Sequence, residues 1–222
     1  MSSALGVLST DVRKSLRPAP QPEWTPLMLA TLTTRTFSDP GWVFERKLDG
    51  ERCLAFRQGR AVRLMSRNRK RVNNQYPEIV EALLAQDADD FVVDGEVVAF
   101  DRNRTSFTRL QRRMHVADPE RARGTGVPVL YYFFDILHAA GKDTTGVPLR
   151  HRKEAVRALL SFEDPLRFTE HRDEKGEQYL REACRRGWEG LIAKRADAPY
   201  KARATLFGSG RDSEAERGSR AA

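Results

Sequence analysis

Six apolar runs of strand length recur along this chain, and segments with helical spacing separate them. The runs cover residues 42–47, 52–56, 62–65, 91–100, 129–136 and 191–194. Apolar residues also recur at three- or four-residue intervals over residues 77–85, 107–114, 152–160 and 177–186. Because the strands cluster and the helices are dispersed, rather than alternating strictly, the pattern predicts an α+β fold. We expect mainly antiparallel sheets with helices packed on the outside.

Both ends of the chain differ in composition from the body between them. Residues 1–23 are basic and contain Pro18, Pro20 and Pro22, which interrupt regular structure, so we expect an extended N-terminal arm. Residues 24–200 hold the apolar runs and are expected to form one domain. Residues 201–222 are rich in alanine, glycine, serine and arginine, and this composition predicts a disordered tail.

The charge balance narrows the class of partner. The chain has 222 residues with 39 Lys and Arg against 31 Asp and Glu, a formal net charge of +8. Cationic side chains gain free energy by displacing counterions from phosphates, so nucleic acid is favoured and an acidic membrane surface is the weaker alternative. No stretch approaches the roughly 20 apolar residues of a membrane span, and the N-terminus lacks a signal-peptide core. The sequence therefore predicts a cytoplasmic protein with no membrane partner.

A lysine surrounded by charged groups stands at the end of the first apolar run, in the segment FERKLDGER at residues 44–52. On a strand, Glu45, Lys47 and Asp49 would project to one face. Attack on the α-phosphorus of a nucleotide needs a neutral amine, whereas lysine is almost wholly charged at neutral pH. Burial, a divalent cation or Arg52 would favour the neutral form. We interpret Lys47 as a nucleophile; a solvated lysine on an ordinary strand is the alternative.

A second charged segment is VVDGEVV at residues 92–98. Asp94 and Glu96 lie on the same face of this apolar strand, where burying an unpaired carboxylate is costly. Such groups are usually paired, metal-bound or hydrogen-bonded to a ligand, which favours a functional site. An edge strand with a bulge at Gly95 is the alternative.

A third charged segment, WEGLIAKR at residues 188–195, carries Glu189 and Lys194 around an apolar run. The two residues have opposite parity along a strand. Both can therefore face one ligand only if the strand begins after Gly190 or is locally twisted.

An aromatic run, YYFFD at residues 131–135, lies between the second and third charged segments. Because neighbouring side chains alternate across a strand, one aromatic face could stack on a base while the other enters the core. On its own, this segment predicts only a core strand.

Together and in this order, the segments resemble the adenylation domain of ATP-dependent DNA ligases. These enzymes belong to the covalent nucleotidyltransferase superfamily, which also holds RNA ligases and mRNA capping enzymes. The matching motifs are KLDGER at 47–52, SRN at 66–68, DGE at 94–96, FFD at 133–135 and EGLIAK at 189–194. RVNNQYPE at 71–78 and SFTRLQRRM at 106–114 look most like the ligase domain of bacterial end-joining ligases. The resemblance covers residues 28–200 and implies an ATP-grasp-like nucleotidyltransferase fold.

The resemblance also implies a role for each matching residue. Lys47 would form a phosphoamide with AMP, with Asp49 and Arg52 as further catalytic residues. ATP would be held by Glu45 at the adenine amino group, Phe134 on the ring, Arg52, Arg67 and Glu96 at ribose or phosphate, and Lys194 at the α-phosphate. Glu189, with Asp49, would hold Mg²⁺, for which Mn²⁺ could substitute. AMP would then pass to a 5′-phosphate of nicked or broken duplex DNA, in DNA repair and recombination.

A basic cluster follows the SRN motif. Arg69 stands where the family commonly has a small residue, and Lys70 and Arg71 follow it. These three residues suit contact with DNA phosphates, and an ordinary solvated loop is an equal alternative.

Beyond Tyr200 the sequence departs from the pattern of the family. Family members continue into another lysine motif and a small OB-fold domain, whereas residues 201–222 are too few for a five-stranded barrel. Lys201 also lacks the paired-lysine context. We therefore expect weak or partner-dependent activity, with a separate protein supplying an OB-fold.

Two other functions stay open at this point. A non-catalytic nucleotide- or DNA-binding pseudo-ligase would fit the basic charge and the absent lysine motif. An RNA ligase or a capping-type nucleotidyltransferase would share the Lys-x-Asp-Gly core.

Overall fold

The structure, a computed structural model, describes residues 5–201 and 207–208. The helices are α1 Thr10–Ser15, α2 Pro77–Leu84, α3 Phe107–Met114, α4 Pro119–Gly124, α5 Leu149–Leu159 and α6 Gly176–Arg186. The strands are β1 Arg17–Pro18, β2 Thr31–Leu32, β3 Trp42–Arg46, β4 Glu51–Gln58, β5 Ala61–Ser66, β6 Asp90–Val98, β7 Phe100–Asp101, β8 Arg104–Thr105, β9 Leu130–Ala139, β10 Lys142–Asp143, β11 Leu166–Phe168, β12 His171–Asp173, β13 Leu191–Arg195 and β14 Phe207–Gly208. None of these helices is long and apolar enough to cross a membrane.

The strands form two sheets and a separate hairpin. The large sheet has the order β1-β10-β9-β6-β4-β5, and β11 also pairs with β9. The small sheet has the order β12-β3-β13-β14-β2, and β7 pairs with β8. Among the described residues, only the β11–β9 and β14–β2 pairs are parallel. The predicted α+β fold with mainly antiparallel sheets is confirmed.

The large sheet is apolar on both faces, because alternate residues of its central strands enter different clusters. In β4, Cys53 and Ala55 belong to the main core, which includes residues of α2 and α5. Their neighbours Leu54 and Phe56 belong to a second cluster on the other face, with Met28 and Tyr200. This two-sided burial explains why β4 and β6 read as nearly continuous apolar runs.

The small sheet is covered by α6. Phe44 of β3 and Leu191 of β13 pack with Tyr179 and Ala183 of the helix. The helix ends at Gly187, which adopts the left-handed conformation that favours glycine (φ 65°). This packing fixes β3, the strand that leads into Lys47.

The N-terminal segment packs against the body of the protein. Leu5, Leu8 and Leu16 are buried in the main core, and Ser9 caps α1 by accepting a hydrogen bond from the amide of Val12. The expectation of an extended, unpacked arm over residues 1–23 is therefore wrong for residues 5–18. Three leucines supply enough apolar surface to anchor the segment, and the prolines come at its end.

Only part of the predicted disordered tail is described. Residues 207–208 form β14 between β13 and β2. The prediction for residues 202–206 and 209–222 lies outside the described residues.

The link between the two sheets sets the position of Lys47. Residues 47–50 connect β3 in the small sheet to β4 in the large sheet. At Gly50 the backbone passes so close to β6 that a Cβ atom would lie 2.1 Å from the carbonyl oxygen of Val97. Only glycine fits this close approach, as the predicted sharp exit after Asp49 requires.

Candidate active site

A cavity of about 260 Å³ opens between the two sheets. Its lining includes Glu45, Lys47, Arg52, Arg67, Glu96, Phe134 and Lys194. It therefore brings together all the nucleotide-contacting residues implied by the resemblance, along with the proposed nucleophile. Apolar groups such as Met28, Leu29 and Ile192 complete the wall. An apolar cavity with a few converging polar groups is typical of a small-molecule site.

Lys47 lies just beyond the end of β3 and pairs with Glu189. Its backbone N–H donates to the carbonyl of Gly190 over 2.9 Å, and its Nζ forms an ion pair with Oε1 of Glu189. Both side chains are 37% exposed, so solvent screens the pair and leaves it only modestly stabilising. β13 begins at Leu191, directly after Gly190, which has a φ of 155°. This start meets one of the two conditions under which Glu189 and Lys194 can face one ligand: Lys194 lines the cavity, and Glu189 pairs with Lys47, which also lines it.

Glu45 is a buried carboxylate held between two lysines. Its Oε1 lies 2.5 Å from Nζ of Lys153, and its Oε2 lies 2.6 Å from Nζ of Lys194. Burial works to raise the pKa of Glu45, but the two ammonium groups outweigh burial and hold that pKa below its usual value. Glu45 is thus a stable anion at the base of the cavity.

Phe134 presents its ring to the cavity as predicted for an adenine-stacking residue. The side chains of Tyr131 and Phe133 are buried, while Tyr132 and Phe134 are half-buried, so burial alternates along the aromatic run and Phe134 lines the cavity. The Lys194 ammonium lies 4.3 Å from the centre of the Phe134 ring. A cation therefore covers the ring on which adenine would stack.

Arg52 and Asp94 anchor a buried hydrogen-bond network. Nε and Nη2 of Arg52 donate to the two carboxylate oxygens of Asp94 over 3.0 and 2.6 Å, and Nη1 donates to the carbonyl of Met28 over 2.7 Å. The Tyr200 hydroxyl donates to Asp94 over 2.7 Å and accepts from the Met28 amide over 3.1 Å. Burial opposes the charge of Arg52, but Asp94 raises its pKa above the usual value. In this structure all three guanidinium nitrogens of Arg52 contact protein groups, so its expected contact with ribose or phosphate stays a prediction.

Glu96 lines the cavity, and its carboxyl group has a raised pKa. Burial raises the pKa of Glu96 to about 8; Arg52 opposes this rise, while Asp94, Glu189 and Asp49 add to it. β6 lies between β9 and β4 and is not the edge strand of the alternative interpretation, although its register with β9 shifts between Asp94 and Gly95. The three neighbouring carboxylates thus disfavour the charged form of Glu96, and a cation bound near them would favour it.

The carboxylates of the site can supply some of the ligands of Mg²⁺, with substrate and water supplying the rest, but they do not enclose the ion. No group of three or more His, Cys, Asp or Glu in the described chain could hold a metal ion by itself. Mg²⁺ usually binds through one or two carboxylates, with substrate phosphates and water completing its shell. Glu189, beside Lys47 and partly exposed, fits that role.

Asp49 lies away from the cavity wall. Its Oδ2 accepts a hydrogen bond from the Phe107 amide over 3.2 Å at the N-terminus of α3, and its own amide donates to Thr105 over 3.3 Å. The expectation that it shares a strand face with Glu45 and Lys47 is wrong, because β3 ends at Arg46. Its catalytic and metal-binding roles stay predictions.

The basic cluster after β5 also lies outside the cavity. Arg69, Lys70 and Arg71 are exposed, and the Arg69 guanidinium lies 5.4 Å from the Trp24 ring. Arg71 donates to the side chain of Asn73 over 3.2 Å. Contact with DNA stays a prediction for all three.

Two buried cations on α5 were not found from the sequence. Lys153 reaches Glu45, and Arg152 makes two hydrogen bonds to the carboxylate of Asp135 over 2.6 and 2.9 Å. A signal for Lys153 was present, since it stands at helical spacing between the buried residues Leu149 and Val156. A charged residue at an apolar position of a helix indicates a buried partner.

Comparison with known proteins adds independent findings. The family model described as ATP dependent DNA ligase domain matches residues 27–205. The chain is 34% identical over 193 residues to the multifunctional non-homologous end joining protein LigD of Pseudomonas aeruginosa, covering 86% of this chain and 22% of that protein. It is 34% identical over 158 residues to a probable DNA ligase of Beutenbergia cavernae, covering 70% of this chain and 30% of that protein. The chain thus spans less than a third of these curated relatives.

Solved structures give the same result. Mycobacterial DNA ligase D complexed with ATP and MES is 28% identical, with a TM-score of 0.67 over 83% of this chain and 60% of that chain. The ligase domain of LigD from M. tuberculosis is 28% identical, with a TM-score of 0.65 over 82% of this chain and 58% of that chain.

Proposed function

The chain belongs to the family of ATP-dependent DNA ligase domains, and on that premise we propose that it transfers AMP from ATP to Lys47 and then to a DNA 5′-phosphate. The observation that carries this proposal is the position of Lys47 in a cavity that also holds Glu45, Phe134 and Lys194. Sealing of a nick or break in duplex DNA is the overall reaction that we propose for this site.

Binding of ATP would rearrange the charges around Glu45. Lys194 now pairs with Glu45 and covers the Phe134 ring. When adenine stacks on that ring, Lys194 turns towards the α-phosphate, and its ammonium exchanges a carboxylate for a phosphate oxygen. Lys153 keeps neutralising Glu45, whose other oxygen then accepts a hydrogen bond from the adenine amino group.

The covalent step forms one bond and breaks one. Nζ of Lys47 loses a proton and attacks the α-phosphorus, so that an N–P bond forms. The bond from that phosphorus to the bridging oxygen breaks, and pyrophosphate leaves with the electron pair. Lys47 and Glu189 are both partly exposed, so the proton can pass to water. Mg²⁺ held at Glu189 would neutralise the leaving pyrophosphate and favour the neutral amine.

Transfer to DNA uses the same pocket. An oxygen of the 5′-phosphate attacks the phosphorus of the lysyl-AMP, and Lys47 takes back a proton as it leaves. A neighbouring 3′-hydroxyl then attacks the activated phosphate and releases AMP. The basic charge of the chain favours approach of the DNA.

Intact mass spectrometry after incubation with Mg²⁺ and ATP tests the first step. We expect an AMP adduct that pyrophosphate removes, that is absent in Lys47→Ala and that persists in Lys175→Ala, where an exposed lysine changes instead. Labelling with GTP in competition separates this function from a capping-type enzyme. An adduct that survives in Lys47→Ala, or a preference for GTP, would contradict the proposal.

A further inference from the structure

Arg46, the residue before the proposed nucleophile, lies between two aromatic rings. Its guanidinium carbon is 4.6 Å from the centre of the Trp188 ring and 5.6 Å from that of Phe100. Such stacking holds a guanidinium in a fixed place while leaving its edge available for hydrogen bonds. The ring contacts therefore orient Arg46 without using its donors.

Arg46 also lacks an anionic partner within the part of the chain that is described. Its Nε is buried without a hydrogen bond. Burial lowers the pKa of Arg46; the groups that act on it further are Tyr132, Tyr179 and Arg186, and none is a carboxylate. Arg46 also lines the cavity between the two sheets, beside Lys47. A half-buried cation without an anion is costly, which indicates that a ligand anion completes the site.

More arginines lie on the same side of the molecule. Arg186 contacts the Trp188 ring at 5.2 Å, and together with Arg102 and Arg104 it lines a surface depression. The Arg104 guanidinium lies against Gly187, where a Cβ atom would be only 2.5 Å away. We call Arg46, Arg102, Arg104 and Arg186 the arginine cluster.

Acidic groups near the arginine cluster are few. Asp101 lines the depression, and its Oδ1 lies 4.0 Å from Nη1 of Arg109. Glu182 pairs with Arg186 over 2.7 Å. Among the described ion pairs, Arg186 has a carboxylate partner and the other three arginines of the cluster have none. The surface that the cluster forms therefore has a net positive charge.

The arginine cluster is joined to the reacting groups by the chain itself. Arg46 directly precedes Lys47, and Trp188 directly precedes Glu189. The β7–β8 hairpin that carries Arg102 and Arg104 contacts the same segment, because Thr105 accepts the hydrogen bond from the Asp49 amide. An anion bound by the cluster would lie next to the lysine that carries AMP.

We propose that the arginine cluster binds the sugar–phosphate backbone of duplex DNA beside Lys47. This inference rests on the proposed function, since a DNA phosphate must reach the lysyl-AMP. Phosphate oxygens match the donors of a guanidinium fork, and a row of arginines suits successive phosphates rather than one small anion. The cluster is distinct from Arg69, Lys70 and Arg71, which follow β5.

Binding of fluorescent nicked duplex DNA, measured as a function of salt concentration, tests the inference. The main variant is R102A/R104A, which removes two exposed charges of the cluster. The matched control is R17A/R60A: these arginines are also exposed, and they lie near the Phe91 end of β6, opposite to the hairpin. Losing two phosphate contacts should weaken affinity on the order of tenfold or more at moderate salt and flatten the slope of log K against log salt by about two. The affinity of the control variant for DNA should stay within about twofold of that of the wild-type protein.

Arg46→Met provides a second variant. Methionine can still pack between Phe100 and Trp188, so the variant removes the charge and keeps most of the stacking volume. It should also weaken DNA binding, and circular dichroism melting curves verify that each variant is folded.

Three outcomes would overturn the inference. They are an affinity and a salt slope of R102A/R104A equal to those of the wild-type protein, an equal loss of affinity in R17A/R60A, and no DNA binding by the wild-type protein. Formation of the AMP adduct by the wild-type protein without DNA is scored separately, so failure of the proposed function is distinguishable.

Discussion

A single buried carboxylate, Glu45, sets the charge balance of the cavity, because Lys153 and Lys194 both depend on it. Lys153→Met would leave Glu45 with one cation in place of two, and the pKa of Glu45 would rise towards its usual value or above. Breaking one side of a buried ion pair typically costs about 3–5 kcal/mol, and the remaining Lys194 should reduce this to about 2–4 kcal/mol in the free energy of unfolding. Urea unfolding measures the change.

Two controls make the Lys153 result specific. Lys175→Met changes an exposed lysine and should alter stability by less than about 0.5 kcal/mol. The double variant Lys153→Met with Glu45→Gln should lose less stability than the sum of its single changes, because the uncompensated charge is gone. Strict additivity would show that the two side chains are not coupled.

Glu96 makes stability depend on pH. Its pKa is about 8 in the folded protein, against an unperturbed value of 4.5. Between these pH values the unfolded state has released the proton that the folded state keeps. The free energy of unfolding therefore falls by about 1.4 kcal/mol for each unit by which the pH rises. This contribution is fully present below pH 4.5 and is lost as the pH rises through 8.

Replacing Glu96 with glutamine isolates that contribution. We expect Glu96→Gln to gain stability relative to the wild-type protein as the pH rises from 5 to 8, by an amount on the order of a few kcal/mol. Urea unfolding at several pH values gives the difference, with Glu163→Gln as an exposed control. A difference between the two proteins that does not change with pH would show that Glu96 titrates normally.

At the scale of residues, the sequence could indicate that Phe134 faces away from the core, because strand alternation separates it from Phe133. The helical spacing of Lys153 carried a further signal, that of a buried cation. The sequence could not show which charged side chains form ion pairs with each other. Glu45 and Lys153 are far apart along the chain, and the packing of α5 near β3 brings them together. Arg52 and Asp94 are also far apart along the chain, and the pairing of β4 with β6 brings them together.

Among the structural elements, α3 depends on a residue outside itself. Asp49 accepts a hydrogen bond from the Phe107 amide in the first turn of this helix, where a negative charge is favoured. Asp49→Ala should therefore lower the free energy of unfolding by about 1 kcal/mol. Asp49→Asn can keep the hydrogen bond and should lose less.

The same pair of variants separates the structural role of Asp49 from a catalytic one. If Asp49 acts only on the helix, adduct formation should follow stability and recover in Asp49→Asn at low temperature. If the carboxylate charge takes part in adenylyl transfer, Asp49→Asn should slow adduct formation on the order of a hundredfold although it remains folded. Quenched time courses analysed by mass spectrometry give these rates.

Long elements were predictable from the sequence and short ones were not. The six apolar runs became β3, β4, β5, β6, β9 and β13, and the four helical patterns became α2, α3, α5 and α6. Strands of two residues, such as β7 and β10, are too short to carry a period and form only because a partner strand is present. α4 begins at Pro119, after the N-cap residue Asp118, and Ala122 is its one buried residue. The sequence of α4 therefore has no apolar stripe from which the helix could be predicted.

For the molecule as a whole, the Arg52–Asp94 network ties distant parts of the chain around the cavity. Met28 comes before the first long strand, Arg52 and Asp94 lie in the centre of the large sheet, and Tyr200 follows the last strand of the matched motifs. Met28 and Tyr200 both line the cavity. The network therefore couples the cavity wall to the core, and no local sequence pattern reveals such coupling.

Tyr200→Phe tests that coupling, because it removes one hydroxyl that joins Asp94 to the Met28 amide. We expect a loss of about 1–3 kcal/mol in the free energy of unfolding, since the Met28 amide loses its partner. We also expect a smaller rise in melting temperature on adding ATP, because binding must now order a looser wall before it stabilises the fold. Tyr76→Phe is the matched control: its hydroxyl is a buried donor to Glu51 over 2.6 Å, and Tyr76 does not line the cavity. It should lose comparable stability and keep the full response to ATP. If both variants keep that response, the network stabilises the fold without shaping the nucleotide site.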